Sequence, residues 1–166
     1  MSNLVAFPIL GLALMIQLSV IGRINLLSGS ADLFLVILIS WAIHDRRKTA
    51  WLWAVISGLM VGYVSGLPWY IPMFGYLSVV GLTLIIQRRI WQTLLLEVFI
   101  VIFMGTLFMH GLSMGYLVIM GSTYNLTNAL GTVTLPSILL NLILAIPVYM
   151  LIRDITNWIQ PIRDSE

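Results

Sequence analysis

Apolar residues dominate this chain, and short polar clusters divide them into long runs. A helix of about 20 apolar residues can cross the hydrocarbon core of a bilayer. The pattern therefore predicts membrane-spanning helices near residues 4–22, 31–44, 50–67, 70–87, 91–111 and 133–153. We expect a single transmembrane domain over residues 1–166, an all-α integral membrane protein that folds as a compact bundle of six helices.

Two of the apolar segments depart from this simple pattern. The run at 31–44 is short. It either begins earlier, through "INLL", or starts at a helix cap from Ser28, Ser30 or Asp32, whose side chains can accept hydrogen bonds from free backbone amides. The segment 110–131 begins apolar and ends polar, which predicts a partly embedded or interfacial segment. The first run lacks a basic leader and a small-residue cleavage site, so we expect it to be retained as a span.

The composition of the chain favours a membrane protein. Of its 166 residues 60% are hydrophobic and 8% are charged, whereas about 25% are charged in soluble domains, and the mean hydropathy is +1.05. The net charge of +2, without a basic run that carries interleaved aromatics, argues against nucleic acid as a partner. The absence of cysteine excludes disulfides, thiolate metal sites and cysteine nucleophiles.

Lysine and arginine positions predict the orientation of the bundle, because loops that carry these residues tend to stay in the cytoplasm. With six spans and both termini cytoplasmic, only Arg23 lies on the outer side. The inner side then holds Arg46, Arg47, Lys48, Arg88, Arg89, Arg153 and Arg163. We expect the inner interface to be marked by Trp51, Trp53, Trp91 and Trp158.

Small residues recur every four positions along one stripe of the third predicted helix. In lipid, where no hydrophobic force drives helices together, such stripes allow close backbone contact between helices. The stripe predicts packing either inside the chain's own bundle, which we favour, or against the helix of a partner. Two aromatic residues follow at the outer end, where they suit the interfacial belt. The set predicted for partner-helix packing is Ala54, Gly58, Gly62, Gly66, Trp69 and Tyr70.

Glu97 and Asn141 lie within predicted spans, where ionisable and polar side chains are by default functional candidates. Glu97 shares a helix stripe with Thr93 and Gly105. It is either a proton-linked or partner-linked carboxyl or a neutral structural glutamate, and we favour the structural interpretation. Asn141 predicts a polar contact inside the bundle.

The motifs that mark catalytic or metal sites are missing from the sequence. His44 and His110 are predicted at opposite sides of the membrane, and neither has a second ligand three or four positions away. Ser65 stands in a run that lacks the G-x-S-x-G spacing of a serine nucleophile, so we interpret it as a packing residue. We therefore expect no catalytic residue, no metal site, no cofactor and no enzymatic activity.

The order and spacing of three segments resemble the rod shape-determining protein MreD family. These are "ADLFLVILISWAI" followed by a short basic loop, "GLMVGYVSGLPWYIPMFGYLSVVGLTLII" followed by "RR", and "LPSILLNLILAIPVYMLIRDI". The resemblance covers most of the chain from about Ala31 to Asp154. The family commonly has an acidic residue in the third helix at the position where this chain has Gly62.

The resemblance implies a non-enzymatic scaffold in the inner membrane of a bacterium, within the machinery for cell elongation and peptidoglycan synthesis. It implies MreC as the main partner, together with RodA, a class B penicillin-binding protein and MreB filaments on the cytoplasmic side. It also implies a six-helix bundle similar to the substrate-binding subunits of energy-coupling-factor transporters. MreC would then be bound through the packing of transmembrane helices.

The main alternative is a vitamin-type binding subunit of a membrane transporter. Such a protein needs convergent polar groups at one depth on the outer side, and the candidates are His110, Tyr124, Asn125 and Asn128. Against it, the first span has no alanine four residues after Ala6, so it lacks the A-x-x-x-A-like motif for contact with an energising subunit. An integral-membrane enzyme that depends on Glu97 or His110 is the weakest alternative.

Overall fold

The computed structural model describes residues 2–23, 25–45, 49–87, 94–122 and 126–159. Within these residues the chain is almost entirely helical. Its helices are α1 (Ser2–Ser19), α2 (Leu33–His44), α3 (Ala50–Val64), α4 (Tyr70–Gln87), α5 (Leu94–Ile119), the single turn α6 (Leu126–Ala129) and α7 (Leu135–Ile159). A π-helical stretch, Leu130–Thr134, joins α6 to α7.

A small hairpin fills the connection between α1 and α2. After a 3₁₀ turn, Ile21–Arg23, strands β1 (Asn25–Leu26) and β2 (Gly29–Ser30) pair antiparallel. Leu27 takes a positive φ of 56° in the turn between them. The backbone amide of Ser28 donates a 3.1 Å hydrogen bond to the carbonyl of Thr132, so the hairpin is fastened to the π-helical stretch.

Helix α2 lies at the centre of the bundle. Its residues from Leu33 to Ile43 are all buried, and it contacts α7, α4 and α5 as well as α1 and α3. Leucine, isoleucine and phenylalanine occur on all of its faces, as expected for a helix that has no solvent face. The other long helices surround it.

The all-α prediction and the prediction of a helical bundle are confirmed. In the described residues four segments are long and apolar enough to cross a membrane, at Val5–Arg23, Tyr70–Gln87, Leu96–Ile119 and Leu130–Ile159. These segments are consistent with a multi-pass membrane protein. The other two predicted spans form helices of 12 and 15 residues, α2 and α3, which are shorter than the roughly 20 residues that a span requires.

Several helix boundaries differ from the prediction. Helix α3 ends at Val64 instead of 67, since Gly66 and Pro68 disfavour helix and the amide of Ser65 closes the last turn on Val61 at 2.7 Å. Helix α5 continues beyond 111 to Ile119, so the first part of the segment 110–131 is ordinary helix. Helix α7 ends at Ile159, beyond the predicted 153.

The two ends of the bundle differ in their contacts. One end, which we call the cavity end, holds the hairpin and the connections that follow α3 and α5. At the opposite end the side-chain amide of Gln87 donates to the carbonyl of Ile43 at 2.8 Å. There Trp53 is buried and stacks on Trp41 with ring centroids 3.8 Å apart.

The stacking corrects one prediction about the tryptophans. Trp53 was expected at the interface, but it belongs to the core because Trp41 provides an apolar partner for its ring. Trp51 and Trp158 are exposed, as the interfacial prediction requires. Trp91, Thr93 and the basic residues other than Arg23 and Arg153 lie outside the described residues.

Candidate functional site

The short length of α2 leaves a polar cavity at the cavity end of the bundle. At about 1.5 Å per residue, the 12 residues of α2 span about 18 Å, which is less than the roughly 30 Å of a bilayer core. The hairpin, α4, α5 and the end of α3 surround the space in front of the first turn of α2. This cavity of about 230 Å³ is lined by Gln17, Ser30, Ala31, Asp32, Phe34, Val61, Ser65, Leu67, Pro72, Tyr76, Met109, His110 and Ser113.

Asp32 lines the cavity. It also caps α2, as its position directly before the apolar run predicts. Its Oδ1 atom accepts a 3.0 Å hydrogen bond from the amide of Leu35. The hydroxyl of Tyr76 lies 3.1 Å and 2.9 Å from the two carboxylate oxygens and donates to them. Burial raises the pKa of Asp32, although the hydrogen bonds from Leu35 and Tyr76 act in the opposite direction.

Asp32 has no cationic side chain beside it in the part of the chain that the structure describes. The ion pair found there joins Arg153 to Asp154 over 3.2 Å, on the exposed surface of α7. Arg23, which precedes the hairpin, is exposed. The carboxyl of Asp32 is therefore held by neutral hydrogen-bond donors alone.

Asn141 of α7 holds the backbone of Asp32 in place. Its Oδ1 atom accepts a 2.7 Å hydrogen bond from the backbone nitrogen of Asp32, and its Nδ2 atom donates to Thr106 Oγ1 at 2.9 Å. The Thr106 hydroxyl in turn donates to the carbonyl of Ile102 at 2.8 Å. Asn141 and Thr106 are buried, so this chain of hydrogen bonds links α2, α5 and α7 inside the bundle.

Gln17 supports the same region from the end of α1. Its side-chain amide donates to the carbonyl of Ala31 at 2.8 Å, and its Oε1 atom accepts from the amide of Leu33 at 2.9 Å. The two hydrogen bonds bracket Asp32 in the sequence. The backbone that carries the carboxylate is thus held from α1 as well as from α7.

Further lining residues come from α5 and from the segment that follows α3. His110 Nδ1 lies 3.2 Å from Thr134 Oγ1, in the π-helical stretch, and Ser113 donates its hydroxyl to the carbonyl of Met109 at 2.9 Å. The hydroxyl oxygen of Ser65 is buried and has no hydrogen-bond partner in the described structure. Ser65 is among the residues that line the cavity, although its hydroxyl oxygen is itself shielded.

A second cavity of about 220 Å³ adjoins the first. The two share Ser30, His110 and Ser113 as lining residues, and the second continues past Val133 and Ser137. Ser137 accepts a 3.1 Å hydrogen bond from the amide of Ser30. The polar space therefore extends from Asp32 towards the π-helical stretch, a type of distortion that is frequent at functional sites.

The arrangement fits binding better than acid–base catalysis. Asp32 and His110 line one cavity, but their hydrogen bonds go to different groups, Tyr76 and Thr134 respectively. Over the described residues, no three histidine, aspartate or glutamate side chains form a group that could hold a metal ion. The cavity is lined by a carboxylate, an imidazole, a carboxamide and several hydroxyls, together with apolar side chains.

The residues predicted for an outer binding site are only partly brought together. His110 lines the cavity, whereas Asn128 is exposed in α6 and Tyr124 and Asn125 lie outside the described residues. The sequence pattern does not indicate Asp32 and Gln17 as cavity residues. The available signal was a polar cluster at the start of a span that is too short to cross the membrane.

The predicted glycine stripe faces the chain's own α4. A Cβ on Gly58 would collide with the backbone of Met73, and one on Gly62 would lie 2.5 Å from the Cα of Trp69. Ala54 is buried on the same stripe, while Gly66 lies beyond the end of α3 and would leave a Cβ without a described atom within 4 Å. Gly58 and Gly62 thus allow close packing of α3 against α4, as the intrachain interpretation requires.

Trp69 and Tyr70 lie at the start of α4 and remain 52% and 45% exposed. Their rings meet edge to face with centroids 6.0 Å apart. Tyr70 also meets Tyr116 of α5, with centroids 6.5 Å apart. The aromatic pair therefore borders the surface between α4 and α5.

That surface carries a glycine pair that the sequence analysis did not single out. Gly111 and Gly115 lie four residues apart on α5, and a Cβ added to either would meet no described atom within 4 Å. They line an apolar groove of about 650 Å³, which we call the α4–α5 groove. Its other lining residues are Ile71, Leu107, Phe108, Leu112, Tyr116 and Ile119.

Glu97 lies near the start of α5, far along that helix from the cavity-lining His110. It is only 2% exposed, and its Oε1 atom has no hydrogen-bond partner in the described structure. The hydroxyl of Tyr149 in α7 is likewise buried and unpartnered there. Tyr149 meets the ring of His44 with centroids 4.8 Å apart, so these groups form a small polar cluster at the end opposite the cavity.

Comparison with protein-family models, with curated proteins and with solved structures finds no match to this chain.

Proposed function

We propose that this protein is a non-enzymatic membrane scaffold that binds the transmembrane helix of a partner protein in the α4–α5 groove. The observation that carries the proposal is the uncovered glycine pair. Gly111 and Gly115 have the same spacing as Gly58 and Gly62, but no helix of the described chain covers them.

Helix packing in lipid explains why such a groove suits a partner helix. Helices in a bilayer associate through dispersion and close backbone contact, which small residues four positions apart allow. From Leu107 to Ile119 the lining residues of α5 extend over about 18 Å, at about 1.5 Å per residue. That length corresponds to about three turns of a helix, which allows side chains of a partner helix to pack against both glycines.

The proposed docking surface differs from the stripe on α3 that the sequence predicts. Gly58 and Gly62 face α4, so a partner cannot reach them without displacing that helix. Tyr70 contacts Tyr116, which lines the α4–α5 groove, and Trp69 lies beside Tyr70. Docking near Trp69 and Tyr70 therefore stays part of the proposal, with Gly111 and Gly115 in place of the stripe on α3.

The identity of the partner comes from the resemblance to the MreD family. We propose that the groove binds the single transmembrane helix of MreC, in the inner membrane of a bacterium. RodA, a class B penicillin-binding protein and MreB filaments are proposed as further members of the same elongation assembly. The basic residues predicted on the cytoplasmic side lie mostly outside the described part of the chain.

Site-specific photo-cross-linking in native membranes tests this proposal. A photoreactive residue at Phe108, which lines the groove and is 41% exposed, is expected to capture MreC. The same residue at Phe7, which is 63% exposed on α1, is the matched control and is expected to capture lipid. Equal yields of the MreC adduct at the two positions, or none at Phe108, would reject the groove as the docking site.

A second candidate function is small-molecule binding, as in a subunit of a membrane transporter. The cavity that contains Asp32 and His110 supports it, since polar groups converge there at one end of an apolar bundle. Native mass spectrometry of the purified protein is expected to detect a retained small molecule if this candidate holds. Recovery of an ATPase module from native membranes would favour a transporter over a scaffold.

A further inference from the structure

We propose that the cavity at Asp32 binds a small organic cation through a primary ammonium group. This inference deepens the second candidate function and rests on the cavity being a small-molecule site. It adds the chemical class of the ligand. The carboxylate of Asp32, which lines the cavity, is the group that carries it.

The first argument is the charge of the site. Asp32 lines the cavity, and within the described residues no arginine, lysine or histidine forms an ion pair with it. A carboxylate removed from water without an opposite charge is strongly disfavoured. A ligand cation that enters the cavity supplies the missing charge, whereas an anionic ligand would face Asp32 without any described cationic side chain in the lining.

The second argument is the direction of the hydrogen bonds. The hydroxyls of Tyr76 and Ser113 already donate their protons, to Asp32 and to the carbonyl of Met109, and so present only lone pairs to the cavity. Asp32 itself can only accept when ionised. A primary ammonium group brings three donors, which matches a site rich in acceptors.

The third argument is the size and lining of the cavity. Its volume of about 230 Å³ lies below the roughly 300–1,000 Å³ of sites for drug-sized ligands. Phe34, Val61 and Met109 give it apolar walls between the polar groups. A short carbon stem that carries the ammonium group fits these dimensions.

The experiment measures binding of ethanolammonium chloride to the full chain in nanodiscs made only of phosphatidylcholine. Isothermal titration is expected to give a dissociation constant in about the millimolar range, as befits so small a ligand. Ethylene glycol, a neutral molecule of the same length, is expected not to bind. Equal binding of the two, or no binding at about 100 mM ethanolammonium, overturns the proposal.

Variants assign the binding to the cavity. Asp32→Asn keeps the shape and the helix cap but removes the charge, and it is expected to weaken ethanolammonium at least about tenfold. Asp154→Asn, at an exposed carboxylate, is the matched control and is expected to bind as the parent does. Should Asp32→Asn fail to fold, Ser113→Ala removes an acceptor hydroxyl of the lining and is expected to weaken binding severalfold; unchanged affinity in either folded variant contradicts the site.

A second set of nanodiscs distinguishes a soluble amine from a lipid headgroup, which share the primary ammonium group. If the headgroup of phosphatidylethanolamine is the natural occupant, adding that lipid is expected to weaken the apparent affinity for free ethanolammonium by competition. If the occupant is soluble, the affinity is expected to stay unchanged.

A retained ligand separates failure of this inference from failure of the second candidate function. Native mass spectrometry that finds a neutral or anionic molecule lost in Ser113→Ala would overturn the ammonium assignment and leave small-molecule binding intact. A protein that retains no molecule and binds no ethanolammonium would overturn both.

Discussion

Asn141 accepts a 2.7 Å hydrogen bond from the backbone nitrogen of Asp32, a residue 109 positions earlier in the chain. The contact joins α7 to the start of α2, where Asp32 lines the cavity. The same side chain donates to Thr106 of α5 at 2.9 Å. One buried amide therefore holds three helices in register around the site.

Replacing Asn141 by leucine is expected to destabilise the protein by about 1–3 kcal/mol. The substitution leaves the buried amide of Asp32 and the hydroxyl of Thr106 without their partner, and that loss outweighs the gain in apolar volume. Thermal unfolding in detergent measures the effect. Asn157→Leu, at an exposed position on the same helix, is the control and is expected to change stability by less than about 0.5 kcal/mol; equal losses would contradict the role of Asn141.

Two helical glycines are expected to respond differently to alanine, because only Gly58 lies in the contact between α3 and α4. Gly58→Ala is expected to cost about 1–3 kcal/mol, because its Cβ would collide with the backbone of Met73. Gly11→Ala on α1 is expected to be neutral or to stabilise by up to about 1 kcal/mol, since no described atom lies within 4 Å of its Cβ and alanine favours helix. Thermal unfolding of the two variants side by side checks this, and a stable Gly58→Ala protein would refute the close contact.

Glu97 is expected to act as a neutral structural side chain. Its buried Oε1 atom has no described partner, and an ionised carboxylate in that position would be strongly disfavoured. Glu97→Gln, which keeps the shape and stays neutral, is therefore expected to unfold within about 0.5 kcal/mol of the parent. Glu97→Lys introduces an unpaired charge at the same place and is expected to prevent folding; a large loss with glutamine instead would indicate that the charge of Glu97 is needed.

The orientation of the bundle can be tested by labelling, because the chain contains no cysteine. Ser28→Cys lies in the hairpin turn at the cavity end, and Asn157→Cys lies near the end of α7; both positions are exposed. If the basic loops face the cytoplasm, a membrane-impermeant maleimide is expected to label position 28 in intact cells. Position 157 is expected to react only after permeabilisation, and the reverse pattern would place the cavity on the cytoplasmic side.

Much of the fold follows from local features of the sequence. Long apolar runs predict α1, α4, α5 and α7, since each run alone is long enough to bury itself in lipid. The cap at Asp32 follows from an acidic residue directly before an apolar run. The end of α3 depends on Gly66 and Pro68, whose backbone preferences fix it only to within a few residues.

The candidate sites could not be derived in the same way. Gly58 and Gly62 have the spacing of Gly111 and Gly115, yet only the first pair is covered by a neighbouring helix. Burial depends on which helix lies opposite, and that is a property of the whole bundle. The same holds for the cavity, whose lining joins Gln17, Asp32, Ser65 and His110 from four parts of the chain.

The measurement that tests the central claim most directly is recovery of MreC with the Gly111→Leu/Gly115→Leu double variant. Both leucines fit the open groove of the free protein, so the variant is expected to fold, whereas they would overpack a docked helix. Overpacking costs about 1–3 kcal/mol, and about 1.4 kcal/mol is tenfold in affinity. Co-purified MreC is therefore expected to fall about tenfold relative to the parent and to the control Gly11→Leu, and unchanged recovery with a folded double variant would contradict the account.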